Sequence, residues 1–339
     1  MADELLNLIK SHIRTKGAMD MATFMEYCLA HPTHGYYATR DPFGVKGDFI
    51  TAPEISQLFG EMIGIFFRHV YETLGRPASV HIVECGAGRG SMMRDLLRVI
   101  KPHVPAQIHI VEISKSLRQI QKETIQDDGI IWHESINSLP DDAPLFIVGN
   151  EFLDAIPTRQ AIAHNGEWFE HCISLRDDEL IFSMGAKLQS PELPEAINGR
   201  IFEFSPLREQ IHLELLKRIE AQKGALLWID YGFDKDQNTA SVQGVRDHKY
   251  ASILHEIGRV DISSLVDFEK LALITPAGLF TIGLMGQGDF LRSCGIEARK
   301  DMLVEKNPEH KDIILSGYHR LIDDEQMGTL FKTLAIVRQ

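Results

Sequence analysis

The first part of the chain carries apolar residues at the spacing of amphipathic helices. One helix is predicted around Leu5 to Ile13, a second follows an Asp20 cap, and a longer one begins near Pro53. A polar, glycine-rich loop separates the second helix from the third. We therefore expect residues 1–76 to form a helical cap and a loop beside a larger domain.

From about Val80 the pattern changes to short apolar strands that alternate with helices, which is typical of a parallel sheet. Four strands are predicted: Val80 to Val83, Gln107 to Val111, Leu145 to Val148 and Ala225 to Ile229. Polar residues follow each of them: Glu84, Glu112, Asn150 with Glu151, and Asp230. In an open parallel sheet the ligand crevice lies beyond the carboxyl ends of the strands, so these side chains should meet in one cleft. The fold class expected for residues 77–339 is therefore α/β, with a doubly wound sheet.

An inserted antiparallel lobe is expected over about residues 158–222. The chain there is too long for a single crossover helix, and Asn165-Gly166 between two apolar runs predicts a hairpin with a type I′ turn. A helix should follow from about Leu207 to Gln222. The polar segment from Phe233 to Lys249 shows no period and is interpreted as a lid.

Charge and composition narrow the function classes. Among 339 residues, 48 are acidic and 35 are lysine or arginine, which gives a formal charge of −13. Because nucleic-acid binding depends on a basic surface, we expect no nucleic-acid partner, and a cationic substrate fits the charge better. Four scattered cysteines show no paired spacing, so neither a disulfide framework nor a metal site is predicted.

Neither a targeting segment nor a membrane span is predicted. The N-terminus is acidic and runs directly into helical periodicity, so we expect a cytoplasmic, bacterial protein. Proline and glycine residues interrupt the uncharged stretch between Lys270 and Asp289. This stretch fits a buried strand and a turn better than a membrane-spanning helix.

A glycine turn follows the first predicted strand, with the sequence Glu84-Cys85-Gly86-Ala87-Gly88-Arg89-Gly90. Glycine lets the backbone approach a ligand closely, because it has no Cβ and accepts positive φ. The G-x-G-x-x-G pattern of dinucleotide enzymes would need a glycine where Ser91 stands. The pattern acid-x-Gly-x-Gly-x-Gly instead resembles the first motif of class I methyltransferases, which implies S-adenosylmethionine as the cofactor.

Glu112 ends the next strand, 22 residues after Gly90, and a carboxylate there can accept hydrogen bonds from both ribose hydroxyls. The alternative is that Glu84 and Glu112 are solvated strand ends, but turn, helix and second acid occur in register. The predicted cofactor-binding residues are Glu84, Gly86, Ala87, Gly88, Gly90, Glu112, Ile113, Asn150, Glu151 and Thr51. Thr51 also has capping-box spacing with Glu54, which favours a helix start there.

Further blocks extend along the chain: His34 to Tyr37, Gly47 to Ser56 with Phe59 to Glu61, Asn150 to Pro157, and Asp230 to Gly232. With the glycine turn they resemble the MidA-like family, which includes the mitochondrial complex I assembly-factor protein-arginine methyltransferase and its bacterial relatives. Weaker matches at Asp261 to Ser263, Val266 to Phe268 and Gln287 to Leu291 extend the resemblance over nearly the whole chain. The chain departs from the family pattern at Cys85, at Ala87 and around Gly244 to His248.

The resemblance implies a Rossmann-type methyltransferase core and a protein-arginine N-methyltransferase that acts on a protein substrate, such as a respiratory-complex subunit. Carboxylates can hold an arginine guanidinium in bidentate fashion, so the site should contain at least two acids. Glu151 and Asp154, which follow the third predicted strand, are the first catalytic candidates, and Asp48 is another. The competing interpretation is that these residues only shape turns.

Two other functions stay open. The first is an assembly or chaperone factor that binds S-adenosylmethionine structurally and acts by holding its partner. The second is a nicotinamide-dependent oxidoreductase, which Ser91 disfavours. The aromatic residues Tyr36 and Tyr37, with His34, either form a wall over the cofactor or pack the cap onto the core. His248 is most simply a polar residue of the lid, and a homodimer is one of the open oligomeric states.

Overall fold

A central sheet of eight strands organises the structure, a computed structural model that describes residues 2–39, 51–190, 193–235 and 240–338. Seven strands lie side by side in the order Phe280–Gly286, Phe331–Arg338, Gly224–Phe233, Leu145–Asn150, Val80–Cys85, Ala106–Val111 and Ile131–His133. The eighth, Val266–Asp267, pairs with the end of Gly224–Phe233. The last five strands of that order are parallel, and the first two pair antiparallel at one edge.

All four strands predicted from the apolar runs are present, and the α/β fold class is confirmed. Helices cover both faces of the sheet, which explains why its central strands are mostly apolar on both sides. One face is covered by Gln57–Thr73, Ser91–Ile100, Gln287–Ser293, Ile296–Lys306 and Lys311–Ile322. The other face is covered by Pro206–Gln222 and Phe268–Leu273. Helix Lys115–Ile125 follows Ala106–Val111 and packs beside the glycine turn.

A second sheet, of five strands, forms the antiparallel lobe. Its strands are Met19–Asp20, Arg159–His164, Glu167–Arg176, Glu179–Leu188 and Ile201–Phe204. Asn165 and Gly166 join two of them with φ of 50° and 76°, as a type I′ turn requires, so the predicted hairpin is confirmed. Helix Pro206–Gln222, which lay inside the predicted lobe range of 158–222, packs its apolar face on the central sheet.

The N-terminal helices Ala2–Lys16, Met21–Ala30 and Tyr36–Thr39 bury their apolar faces against the lobe and a third sheet. The predicted Asp20 cap is confirmed, because its carboxylate accepts a hydrogen bond from the Thr23 backbone N–H at 2.8 Å. These helices thus reach the carboxyl ends of the central strands from the lobe side, where Tyr37 and Leu29 border a cavity described below.

The long helix predicted from Pro53 is interrupted. Helix Ala52–Ile55 ends at Ser56, whose extended backbone starts the separate helix Gln57–Thr73. Thr51 makes no side-chain capping bond, and Glu54 accepts a hydrogen bond from the Ser91 hydroxyl instead. The predicted capping box is therefore wrong, since its acid is used to join this segment to the glycine turn.

Helix Gln57–Thr73 packs closely on helix Ser91–Ile100. A Cβ on Gly60 would lie 2.7 Å from the Met92 carbonyl oxygen, so only glycine permits this approach. Helix Gln57–Thr73 therefore belongs to the layer of helices that covers one face of the central sheet. The division into a cap over residues 1–76 and a core over 77–339 stays a prediction.

A third sheet contains Gln243–Arg246, Lys249–Ala251 and Asp261–Ser263. Asp247 and His248 form the turn between its first two strands, with φ of 50° and 60°. Part of the segment interpreted as a lid is thus a short hairpin, while residues 236–239 lie outside the described part. Within the described residues, no helix has the length and apolar character that a membrane crossing requires.

Candidate cofactor and acceptor site

The glycine turn lies at the carboxyl end of the strand Val80–Cys85, near the middle of the sheet. Its glycines, at 86, 88 and 90, have φ of 67°, 49° and 84°. A Cβ added to Gly86 would lie 2.8 Å from the Phe152 ring, and one added to Gly90 would lie 2.9 Å from Ile125. The turn therefore requires glycine for its backbone conformation and for its close packing.

A small pocket beside the turn is lined by buried acceptors. Glu84 Oε2 and Asn150 Oδ1 are buried and have no hydrogen-bond partner among the described residues. Burial raises the pKa of Glu84 to about 8, and the charge of Glu112 adds to the rise. Two such acceptors beside a glycine cradle fit the ammonium group of a methionine moiety. Thr51 and Glu151 line the same pocket.

A larger cavity, of about 430 Å³, also borders the turn. Glu112 lines it, and its two oxygens accept hydrogen bonds from the Ser114 backbone N–H at 2.8 Å and from Gln121 Nε2 at 3.1 Å. Ile113, which lines the cavity beside Glu112, is 57% exposed. A carboxylate next to an uncovered apolar side chain fits a nucleoside, whose ribose is polar and whose base is flat and apolar on its faces.

Glu151 follows the strand Leu145–Asn150 and borders both pockets. Its φ of 49° is uncommon for a residue with a side chain, and such strain is typical of functional sites. Glu151 Oε1 accepts hydrogen bonds from Asn150 Nδ2 at 3.0 Å and from the Ala52 backbone N–H at 3.4 Å. Burial and the charge of Asp154 raise the pKa of Glu151 to about 7, and burial raises the pKa of Asp154 to about 6. Both side chains therefore titrate close to neutral pH.

Two buried side chains hold the acidic loop, which we define as residues 151–154. Asp230 Oδ2 accepts the backbone N–H groups of residues 152, 153 and 154 at 3.1, 2.8 and 3.2 Å. Arg208 Nε donates to the Leu153 carbonyl at 2.9 Å. Sequence analysis placed Asp230 at the cleft but missed Arg208, which lies in the first turn of a helix where surface charge is common.

The remaining candidates are distributed around this site. Asp48 lies outside the described residues. Tyr37 lines the large cavity, and its hydroxyl donates to Asp261 at 3.0 Å, whereas Tyr36 is fully buried in the apolar core of the N-terminal helices. Tyr37 thus lies where a wall over the cofactor was predicted, whereas Tyr36 packs among the N-terminal helices. His248 lies in the hairpin turn of the third sheet and lines neither of the two pockets described above.

Comparison with known proteins identifies the family. Residues 62–285 match the model of the family described as "Putative S-adenosyl-L-methionine-dependent methyltransferase". The chain belongs to this family. The methyltransferase is 32% identical to the protein arginine methyltransferase NDUFAF7 homolog, mitochondrial, of Caenorhabditis elegans, over 98% of this chain and 86% of the relative. It is 29% identical to the protein arginine methyltransferase NDUFAF7, mitochondrial, of Homo sapiens, over 98% and 83% of the two chains.

A solved structure supports the cofactor directly. A superfamily member from Burkholderia thailandensis, bound to S-adenosyl-homocysteine, matches with a TM-score of 0.88 at 25% identity, over 99% of this chain and 92% of that one. The protein is therefore an S-adenosylmethionine-dependent methyltransferase with a Rossmann-type fold, and its resemblance to the MidA-like family is confirmed. The glycine cradle and the two buried acceptors beside it fit this cofactor.

The names of the sequence relatives correct the expected location. The relatives from Caenorhabditis elegans, Bos taurus and Homo sapiens are named as mitochondrial proteins, which contradicts the prediction of a cytoplasmic one. That prediction depended only on the acidic residues and the helical periodicity at the start of the sequence.

Proposed function

We propose that the protein transfers the methyl group of S-adenosylmethionine to a guanidinium nitrogen of an arginine in a protein substrate. The acidic loop is the observation that carries this proposal, because it places Glu151 at the border of both pockets and Asp154 within electrostatic reach of it. A guanidinium presents a planar fork of N–H donors that carboxylates match in geometry and charge. The curated relatives named as protein arginine methyltransferases support the same acceptor.

The charge balance around the acidic loop also favours a cationic acceptor. The charge of Asp154 raises the pKa of Glu151, and the charges of Asp154 and Glu151 raise the pKa of Asp230. Arg208 is the cation that opposes the rise at Asp154 and Asp230. The raised pKa values show that ionising all three acids beside a single arginine is costly in this poorly solvated place, and a bound cation would offset that cost. The formal charge of −13 for the whole chain suits a basic protein segment as well.

Methyl transfer to nitrogen is an in-line displacement, so the protein must mainly align the reacting atoms and exclude water. When bound, S-adenosylmethionine supplies an electrophilic methyl group on its sulfonium and leaves as S-adenosyl-homocysteine. The carboxylates of Glu151 and Asp154 would hold the guanidinium through its N–H groups. As the new N–C bond forms, the nitrogen loses one proton, which the Glu151 carboxylate accepts and then releases to water. A pKa of about 7 suits Glu151 to this exchange.

The cofactor would be held by the residues that line the two pockets. The glycine turn, with Glu84 and Asn150, would hold the methionine end, and Glu112 with Ile113 would hold the adenosine end. The full set proposed for the cofactor is Glu84, Gly86, Ala87, Gly88, Gly90, Glu112, Ile113, Asn150, Glu151 and Thr51. Of these, Gly90 acts through packing, because a helix lies against it.

The acceptor is tested with S-adenosylmethionine that carries a tritiated methyl group. The purified protein is incubated with this cofactor and with an extract of cells that lack the protein, and the labelled proteins are hydrolysed to amino acids. Label in methylarginine, which disappears with the Asp154→Asn variant, is the expected result. Label in another amino acid or only in small molecules contradicts the proposal. Tight cofactor binding without any transfer would favour the structural assembly factor instead.

A further inference from the structure

Gln121 is the centre of a buried hydrogen-bond cluster between the glycine turn and Glu112. It lies in helix Lys115–Ile125 and is 0% exposed. Its Nε2 donates to the Gly88 carbonyl at 2.9 Å and to Glu112 Oε2 at 3.1 Å. Its Oε1 accepts a hydrogen bond from Trp132 Nε1 at 2.9 Å. The orientation of the amide is thereby fixed, because an indole nitrogen can only donate.

The third glycine of the turn explains how one side chain reaches both groups. A Cβ on Gly90 would lie 3.3 Å from the Gln121 Cα and 2.9 Å from Ile125. Only a glycine at this place lets the helix approach the turn so closely. The two N–H groups of Gln121 are then within reach of the turn carbonyl and of the carboxylate at the same time.

We propose that Gln121 is a positioning residue for the cofactor, which holds the Glu112 carboxylate in the orientation that receives the two ribose hydroxyls. The inference rests on the proposed role of Glu112 in ribose binding. Donors hold both oxygens of this carboxylate: the Ser114 backbone N–H binds Oε1 and Gln121 binds Oε2, and the Ile113 backbone N–H is a further donor to the group. The carboxylate therefore has a defined orientation, and its remaining acceptor capacity is available to the ribose.

Gln121 also favours the ionised form of Glu112, which is the better acceptor. Burial raises the pKa of Glu112, whereas the hydrogen bonds from Ser114 and Gln121 and the charge of Arg118 lower it. Loss of the Gln121 donor would therefore raise this pKa further. A protonated carboxyl has one acceptor site fewer for the ribose and binds it more weakly.

The substitution Gln121→Glu tests the proposal, because it keeps the side-chain size and an oxygen for Trp132 but removes the donor to Glu112, together with the donor to the Gly88 carbonyl. We expect the Kd for S-adenosylmethionine, measured by isothermal titration at pH 8, to rise about tenfold or more. Gln119→Glu is the matched control, since it makes the same change at an exposed position of the same helix. This control should bind the cofactor like the wild type.

The pH dependence separates positioning from general damage. In Gln121→Glu two carboxyl groups face each other, and as the pH falls they take up one shared proton that restores a donor between them. In the wild type, protonation of Glu112 only weakens binding. We expect the ratio of the two Kd values to fall from about tenfold at pH 8 to about threefold or less at pH 6. A ratio that stays constant would indicate damage to the fold and would overturn the proposal.

Two controls show which assignment is wrong if binding does not change. Unchanged binding in Gln121→Glu together with weak binding in Glu112→Gln would overturn the role of Gln121 alone. Unchanged binding in Glu112→Gln would overturn the ribose role, and with it this inference, but not the proposed arginine acceptor.

Tryptophan fluorescence of Gln121→Glu should match the wild type, because the Trp132 N–H keeps an oxygen acceptor.

Discussion

The Leu153 backbone N–H donates to Asp230 Oδ2 at 2.8 Å, and this bond joins the acidic loop to the neighbouring parallel strand of the central sheet. The N–H groups of residues 152 and 154 donate to the same oxygen at 3.1 and 3.2 Å. Three donors on one buried oxygen fix the backbone that follows Glu151. The strained φ of 49° at Glu151 is therefore held by the sheet and not by the substrate.

Asp230→Ala should loosen the acidic loop. The change removes the acceptor of one buried and two partly buried N–H groups, so we expect the free energy of unfolding in urea to fall by about 3 kcal/mol. In the folded protein, kcat should fall at least about tenfold while cofactor affinity changes little. Asp234→Ala is the matched control just after the same strand, where the half-exposed Asp234 forms an ion pair with Lys332. A destabilised variant with wild-type kcat would contradict the positioning role of Asp230.

Methyl transfer should depend on the ionisation of Glu151. Because its pKa is raised to about 7, the carboxylate is increasingly protonated below that pH and cannot accept the proton from the acceptor nitrogen. We expect kcat to rise as the pH increases through about 7 and then to level off. Glu151→Gln should abolish this rise and lower kcat about a hundredfold. A profile that is flat between pH 6 and pH 8 would exclude Glu151 as the proton acceptor.

Asp154→Asn should separate cofactor binding from transfer. The side chain lies outside the two pockets that fit the cofactor, so the Kd for S-adenosylmethionine should stay within about twofold of the wild type. Loss of one carboxylate from the guanidinium site should lower the transfer rate about a hundredfold. The two quantities are measured by titration and by incorporation of labelled methyl groups. Full activity in this variant would remove Asp154 from the catalytic set.

The central strands could be predicted because each is buried on both faces, which makes the run before Asn150 continuously apolar and leaves His81 as the single polar residue in the run before Glu84. The hairpin at Asn165-Gly166 could be predicted because two positive φ values require those residue types. The break at Ser56 could not, since amphipathic periodicity continues across it and only an extended backbone at one residue separates the helices. Periodicity reports which face is buried, not where the backbone changes direction.

The candidate site divides in the same way. Glu84, Gly86 and Glu112 could be found from spacing, because they lie at or just after the carboxyl ends of two neighbouring strands. Arg208 and Gln121 could not, because their partners are distant in the sequence: 55 residues separate Arg208 from the Leu153 carbonyl, and 33 separate Gln121 from the Gly88 carbonyl. Local sequence patterns cannot predict these hydrogen bonds, because the partners meet only when helix and sheet pack together.

Gly86→Val should prevent the close approach of the cofactor. A Cβ at this position meets the Phe152 ring at 2.8 Å, and the φ of 67° is unfavourable for valine. We expect at least about a tenfold rise in the Kd for S-adenosylmethionine. Gly199→Val is the matched control, because its φ is 81° but open space surrounds it. It shares the backbone strain and should leave the Kd unchanged. Equal affinity of Gly86→Val and the wild type would refute the assignment of the turn.

A chain of three buried histidines crosses neighbouring strands of the central sheet. His81 Nδ1 lies 3.0 Å from His109 Nε2, and His109 Nδ1 lies 3.0 Å from His133 Nε2. The chain ends at Asp142, 2.8 Å from His81, and at Ser138, 2.8 Å from His133. Burial, with the charges of the two neighbouring histidines, lowers the pKa of His109 to about 4. His109 therefore stays neutral in the folded protein at pH values where an unfolded histidine is charged.

His109→Gln should make the stability of the protein less sensitive to acid. An unfolded histidine takes up a proton near pH 6.5 and the folded His109 only near pH 4, so its contribution to stability is lost as the pH falls between these values. Buried acids with a raised pKa, such as Glu84, instead favour the folded state as the pH falls. The informative quantity is therefore the difference between variant and wild type in the change of the free energy of unfolding with pH. In urea titrations at pH 7 and pH 5, the variant should lose less free energy of unfolding than the wild type, by about 1 kcal/mol. His103→Gln, at an exposed position, should behave like the wild type. Glutamine does not titrate, so the variant lacks any contribution from this position. If the variant and the wild type lost the same free energy of unfolding between pH 7 and pH 5, the lowered pKa of His109 would not be a source of the acid sensitivity.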